Sequence, residues 1–301
     1  MSMVDSGSAI SLKNILFLTD FSGPSEAALP FAAAIARWYG ATVYSLHVFT
    51  PLSCVYTTPE LTVAAIEAEE ENTRAEMRRV ESQFAGLPHE AIIGQGVAVW
   101  DAVAQTVKEH SIDLIVLGTH GRTGAEKLLL GSVAEEIFRR SPVPVLTIGP
   151  GVRGGAHNGG RFNRVLFATD FTAASVAAAP YALSLAVENR ARLVLLHVMR
   201  KPESRIGDKN RFELSVAEAN QQLYEAIGYG AELEGRPEVA VEYGEPAERI
   251  VAAAQRRRID LIVLGVRNAA GHLGAATHLG RATAHKVVAH AGCPVLTVPY
   301  Q

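Results

Sequence analysis

Cysteine is scarce in this sequence: among 301 residues, Cys54 and Cys293 are the two. A pair so far apart makes no disulfide framework, which points to the cytoplasm. No apolar run reaches the ~20 residues that cross a bilayer, so no membrane association is expected. The N-terminus, MSMVDSGSAISLKN, has neither a basic region nor an apolar one, and is not read as a secretory signal. An excess of basic charge is missing too. The 28 Lys and Arg against 31 Asp and Glu leave a net charge of −3, so no basic field attracts nucleic acid or anionic lipid. His272, His278, His285, His290 and Cys293 lack the spacing of a zinc finger or ribbon, so no metal site is assigned. No Gly-Lys-Ser/Thr loop or dinucleotide fingerprint follows the first apolar strand. No Ser–His–Asp or Cys–His arrangement is readable, and no catalytic residue is assigned.

What is there is a globular composition, 48% hydrophobic and 20% charged, arranged twice. KNILFLTDFS at 13–22 matches NRVLFATDFT at 163–172. YSLHVF at 44–49 matches VLLHVM at 194–199, and IDLIVLG occurs identically at 112–118 and 259–265. SPVPVLTIGP at 141–150 matches AGCPVLTVP at 291–299, in the same order throughout. Such a period is a duplicated domain of ordinary size. We read residues 1–150 as one domain, the glycine-rich stretch 151–160 as a linker, and 161–301 as the second domain.

Within each copy, short apolar runs alternate with helical patterns. In the first copy the strands fall at 14–19, 42–49, 90–96, 113–118 and 142–149. Helices occupy the intervals, the first closed by Gly40 and the last spanning 132–141. Pro30 and its counterpart Pro180 predict a late start or a kink in the first helix of each copy. Strands apolar on both faces and alternating with helices specify a parallel sheet covered on both sides. The expected strand order is 3-2-1-4-5. The acidic stretch EAEEENTRAE reads as a solvated helix face.

In such a sheet, ligands bind beyond the carboxyl ends of the strands where the strand order reverses, here between strands one and four. Thr19 and Asp20 end strand one; Gly118, Thr119, His120, Gly121 and Arg122 follow strand four. Gly131, Ser132 and Val133 open the last helix, whose free N–H groups and dipole favour an anion. Ser132 could cap that helix or donate its hydroxyl to the anion. Asp20 could accept from ribose hydroxyls or serve a metal. Amides of the glycine loop could cradle phosphates. The chemistry is that of a nucleotide site.

These residues resemble the universal stress protein family in its tandem, two-domain form. Its ATP-binding members carry glycine, two residues, glycine, nine residues, glycine, then serine or threonine. Gly118, Gly121, Gly131 and Ser132 match every spacing. LFLTDFS, with Asp20, and LHV, with Val48, also resemble the family. The resemblance implies two tandem Rossmann-like, adenine nucleotide alpha hydrolase-like domains, and ATP as ligand, with or without Mg2+. It implies that Asp20 meets the ribose and the Val48 backbone meets adenine. Gly118 and Gly121 would border ribose and phosphates, and Gly131, Ser132 and Val133 would hold phosphates. Arg122 could reach the γ-phosphate. The implied role is a stress-response module that binds adenine nucleotide and works through a protein partner. A slow ATP hydrolase and a scaffold without ligand are the alternatives.

The second copy departs from the pattern. Gly265, Asp170 and Val198 remain, but Asn268 replaces the second glycine. Gly280 comes two residues late, with Arg281 following where serine should stand at the helix start. This copy is expected to bind ATP weakly or not at all. His47 and His197, at the ends of the second strands, read as satisfied near-core residues. The apolar fifth strands would lie at sheet edges and could pair within one chain. Two chains are expected to form a homodimer.

Overall fold

The computed structural model describes residues 10–49, 59–95, 98–119, 130–152, 160–199, 209–227, 233, 235–267 and 275–300. The first copy runs β1 (Asn14–Leu18), α1 (Gly23–Glu26), α2 (Leu29–Tyr39), β2 (Thr42–Phe49), α3 (Pro59–Gln83), β3 (His89–Gln95), α4 (Val99–Glu109), β4 (Leu114–Gly118), α5 (Ser132–Arg140) and β5 (Val145–Ile148). The second runs β6 (Arg164–Ala168), α6 (Ala173–Val176), α7 (Ala179–Asn189), β7 (Arg192–Met199), α8 (Lys209–Ile227), β8 (Glu238–Tyr243), α9 (Pro246–Arg256), β9 (Leu261–Arg267), α10 (Ala275–His290) and β10 (Val295–Tyr300).

Among the described residues the strands form one ten-stranded sheet, ordered β3-β2-β1-β4-β5-β10-β9-β6-β7-β8. Each copy contributes five parallel strands in the expected order, and both sheets reverse between their first and fourth strands. The join is antiparallel: Thr147 faces Val295, Leu146 faces Leu296 and Val145 faces Thr297. The apolar fifth strands thus cover one another inside a single chain. Thr147 Oγ1 donates to the Val295 carbonyl at 3.1 Å across this join.

Alternation along the strands divides the core between the two faces of the sheet. Ile15 and Phe17 of β1 pack with Phe31 and Ile35 of α2, Val80 of α3 and Phe84 just after it. Leu16 and Leu18 pack with Val103 of α4 and Ile137 of α5 on the other face. The second copy repeats this with α7 and α8 against α9 and α10.

The proline expectation holds in both copies. A short α1 ends, and α2 restarts with Pro30 in its first turn; α6 and α7 repeat the break around Pro180. Proline fits there because a first-turn N–H has no partner in the helix. Gly40 closes α2 at φ +62°. The charged face of α3 carries exposed ion pairs such as Arg74–Glu70, 2.9 Å.

Beyond the sheet, the two copies meet through α2. The Phe162 ring stacks on Phe31 at 6.0 Å and meets Trp38 edge-on at 5.7 Å. The Tyr39 hydroxyl lies 2.8 Å from Ser184 Oγ of α7.

One expectation about the second copy needs correction. Arg281 does not begin the last helix: α10 starts at Ala275, and Arg281 lies inside it. The ends of the two helices show the proper equivalence. Ser141 N–H donates to Ile137 and Ala291 N–H donates to Val287, and both acceptors are fully buried. Counting back from those pairs sets Arg281 opposite Gly131, Ala282 opposite Ser132 and Thr283 opposite Val133. The last helix of the second copy therefore extends seven residues beyond the start of α5.

Candidate functional site

Two backbone features shape the first copy where its strand order reverses, between β1 and β4. The first is the turn after β1. Phe21 has φ +62°, the left-handed region that a bulky residue rarely occupies. Its neighbours hold it there. Phe21 N–H donates to Thr19 Oγ1 at 3.0 Å, and Ser22 N–H donates to Asp20 Oδ1 at 3.0 Å. The Ser22 hydroxyl also donates to Asp20 Oδ1, while its oxygen accepts from Ser25 N–H to cap α1. His47 Nδ1 donates to the Thr19 carbonyl at 2.8 Å, and its ring stacks on Phe21 at 4.2 Å. The second copy builds the same turn, with Phe171 at φ +61° and His197 donating to Thr169. Both histidines are thus satisfied near-core residues, as the sequence suggests.

The carboxylate of the second turn is held in its charged form. Burial pushes Asp170 up, but hydrogen bonds from the Thr172 and Ser175 side chains and from the backbone outweigh it, so its carboxyl ionises below the usual range. Asp20 makes the same paired contact with Ser22. Each aspartate therefore shapes its turn.

The second feature is the end of β4. Leu16 pairs with Ile115 and Phe17 with Val116, so Thr19 and Gly118 lie two residues past the last pairs on neighbouring strands. A Cβ on Gly118 would stand 2.7 Å from the Pro24 carbonyl carbon and 3.0 Å from Ser25 N. Only glycine lets α1 close down on this strand. Thr119 is buried; its N–H donates to the Ile148 carbonyl at 2.9 Å, and its carbonyl accepts from Gly131 N–H at 2.8 Å. That last bond ties the start of α5 to the end of β4.

Gly131, with φ −61° and ψ 148°, is the N-cap of α5 and, as glycine, has no side chain of its own to cap the helix. Ser132 therefore stands at the first helical position and is not the cap. The helical bonding of this turn includes Glu135 N–H donating to the Gly131 carbonyl at 2.8 Å. The N–H groups of Ser132, Val133 and Ala134 thus belong to the first turn, where a helix offers them no acceptor. Ser132 and Val133 are exposed. The positive end of a helix dipole at such a turn favours negative charge.

Thr19, Asp20, Gly118, Thr119, Gly131, Ser132 and Val133 thus surround one end of the sheet, and Val48 lies near the end of the adjoining β2. His120, Gly121 and Arg122 lie outside the described residues. Among the described residues, no group of three or more His, Cys, Asp or Glu could hold a metal ion.

The second copy shows what the sequence did not reveal: a cavity of about 520 Å³ at the equivalent place. Its lining includes Asp170, Val198 and Gly265, the counterparts of Asp20, Val48 and Gly118. Three residues chosen in the first copy from sequence thus have counterparts that converge on one cavity. At the phosphate side, Thr283 and Ala284 lie within α10, whose interior N–H groups bond to carbonyls four residues earlier. The open helix start of the first copy has no counterpart there.

Comparison with known proteins agrees with this architecture. The model of the universal stress protein family matches residues 11–149 and again 161–299. A universal stress protein of Methanocaldococcus jannaschii is 30% identical over 141 residues, covering 45% of this chain and 81% of that protein. One from Bacillus subtilis is 33% identical over 151 residues, covering 46% of this chain and 99% of that protein. The crystal structure of a universal stress protein from Archaeoglobus fulgidus superposes with a TM-score of 0.66. It is 23% identical, covering 95% of this chain and 98% of that one, and shows the shared fold. Two family matches along one chain and one continuous sheet place this protein in the universal stress protein family, as a tandem of two domains.

Proposed function

We propose that the first domain binds ATP in the crevice between β1, β4 and the start of α5. The chain then acts as a nucleotide-dependent stress-response module that works through a protein partner. One observation carries this reading: the first turn of α5, whose N-cap Gly131 has no capping side chain, is tied by Gly131 N–H to Thr119 at the switch in strand order. The signature spacing of Gly118, Gly121, Gly131 and Ser132 supports it.

In this reading the amides of Ser132 to Ala134 take the phosphates, Asp20 accepts from ribose hydroxyls, and the backbone at Val48 meets the base. Asp20 is also the carboxylate that would serve an accompanying Mg2+. ATP supplies the phosphate charge that this helix start accommodates. No residue is assigned as a catalytic base, so binding and signalling are the function proposed, in the cytoplasm. A homodimer, if formed, must use surfaces other than β5 and β10, which are already joined within the chain.

The test is direct. The purified chain is denatured and its supernatant examined by mass spectrometry for ATP or AMP. The native protein is then titrated with ATP and incubated with ATP and Mg2+. Carry-over or saturable binding, with little turnover, supports the proposal. No carry-over and no binding at millimolar ATP would refute it.

A further inference from the structure

The cavity of the second domain is a ligand site that its sequence, lacking the phosphate signature, would not advertise. Its volume of about 520 Å³ lies within the ~300–1,000 Å³ usual for small-molecule sites. Its walls are of two kinds. Leu196, Val198, Ile250 and Leu264 supply apolar surface that suits the faces of a flat ring. At its edge stand two carboxylates, Asp170 and Glu245, and among the described lining residues they are the only charged groups.

Glu245 has no counterpart in the first domain. It occupies the N-cap position of α9, where the first domain has Ala98 before α4. Its side chain makes no cap bond, and Lys286 Nζ approaches Oε1 no closer than 3.9 Å. Gly244, beside it, has φ +138° and lines the same cavity. The turn thus brings a carboxylate to the mouth where the first domain offers a methyl group.

The opposite wall differs in a complementary way. Where the first domain opens a helix, the second carries α10 through from Ala275. The N–H groups of residues 282–284 are then spent on the helix itself. An anion arriving at residues 282–284 finds their amides already bonded within the helix, and among the described lining residues it meets two carboxylates. Among the described residues, the pocket keeps apolar and carboxylate surfaces for a ring and its hydroxyls and lacks the open helix start of the first domain.

We infer that the second domain binds a phosphate-free ligand of nucleoside size, a flat ring bearing neighbouring hydroxyls, in the cavity between Asp170, Val198 and Thr283. The hydroxyls donate to the carboxylates, and the ring lies against Leu196 and Leu264. The two domains of one chain therefore divide their ligands by charge, with the phosphate-bearing one in the first and the phosphate-free one in the second.

Adenosine is the probe, and the full-length chain carrying Gly131→Glu is the protein. Gly131 has φ −61°, which any residue adopts, so this change blocks the first helix start without backbone strain. Adenosine is expected to bind this variant at one equivalent, and ATP to displace it at least about tenfold less effectively than adenosine itself. Thr283→Trp, at the half-buried edge of the cavity, should weaken adenosine at least about tenfold and leave ATP binding by the otherwise unaltered chain intact. Val198→Trp serves the same purpose if the first variant folds poorly. Hydrogen exchange on the Gly131→Glu protein should show adenosine protecting the start of α9 and the end of β9, with no substitution in the second domain. The inference is overturned if adenosine does not bind Gly131→Glu, if ATP displaces it as well as adenosine does, or if protection falls elsewhere. ATP binding to the unaltered chain is read separately, so failure here is distinct from failure of the first-domain proposal.

Discussion

Gly118 lies beneath Pro24: a side-chain carbon on the glycine would stand 2.7 Å from the proline carbonyl carbon. The second domain repeats the relationship. A Cβ on Gly265 would come within 2.5 Å of the Ala174 carbonyl carbon and of Ser175 Cα. The first glycine of the nucleotide signature is thus required by the fold in both domains, whether or not a nucleotide binds. Gly118→Ala and Gly265→Ala should each destabilise the protein, by about 1–3 kcal/mol or more, as overpacking does. Urea denaturation measures this. Equal stability of Gly265→Ala and the parent would show that α6 shifts freely.

Tyr39 and Ser184 join α2 to α7, and burial pushes the Tyr39 hydroxyl up to about 12, aided by Glu188 and opposed by the bond to Ser184. The folded value lies above the unfolded value of about 10. The neutral phenol is thus favoured in the fold, and its contribution is complete below pH 10. It is lost as pH rises from 10 through 12. Melting temperatures recorded between pH 8 and 12 should fall in that window, and Tyr39→Phe should flatten the fall. At pH 7 the same variant should lose about 0.5–1.5 kcal/mol, the ordinary worth of a hydrogen bond.

Cys293 is buried, and burial, with Asp260 nearby, pushes its thiol up to about 12. The thiolate is the reactive form, so this cysteine should resist alkylation in the native protein at pH 8 and react once urea unfolds it. Mass spectrometry after iodoacetamide treatment distinguishes the two states. Rapid native modification of Cys293 would contradict the burial described.

Much of this was legible in the sequence, for identifiable reasons. Strands such as DLIVLG are apolar on both faces and bounded by helical patterns, so the parallel sheet and its strand order follow from local signals. The repeat made the pairing of β5 with β10 a reasonable expectation, because both strands are apolar and would otherwise be edges. The start of α10 was hidden. Its segment AATHLGRATAHK contains Gly280, and glycine costs about 1 kcal/mol relative to alanine inside a helix. Local preference therefore favoured a loop ending at that glycine. The packing of Ala284, Val287 and Val288 against the sheet anchors the helix from its other end. The cavity of the second domain was hidden for a different reason. Asp170, Val198, Glu245 and Thr283 are far apart in sequence, and only the crossovers bring them together.

The turn after β1 yields another prediction. Asp20 accepts from both N–H and hydroxyl of Ser22, while Phe21 is held at positive φ. Asp20→Ala should therefore weaken ATP binding and also cost stability, about 1–3 kcal/mol for donors left unsatisfied. Asp170→Ala should lower stability comparably with no effect on ATP. Chemical denaturation paired with ATP titration separates the two contributions. Loss of ATP binding on Asp170→Ala would place the nucleotide in the wrong domain.

The central claim is one ATP site per chain, built on the open first turn of α5 and absent where α10 runs through. Calorimetric titration of the nucleotide-free, full-length protein with ATP, alongside Gly131→Glu and Thr283→Trp, tests it most directly. The account predicts one equivalent in the unaltered chain, none in Gly131→Glu and one in Thr283→Trp. Two equivalents in the unaltered chain, or undiminished binding by Gly131→Glu, would contradict it.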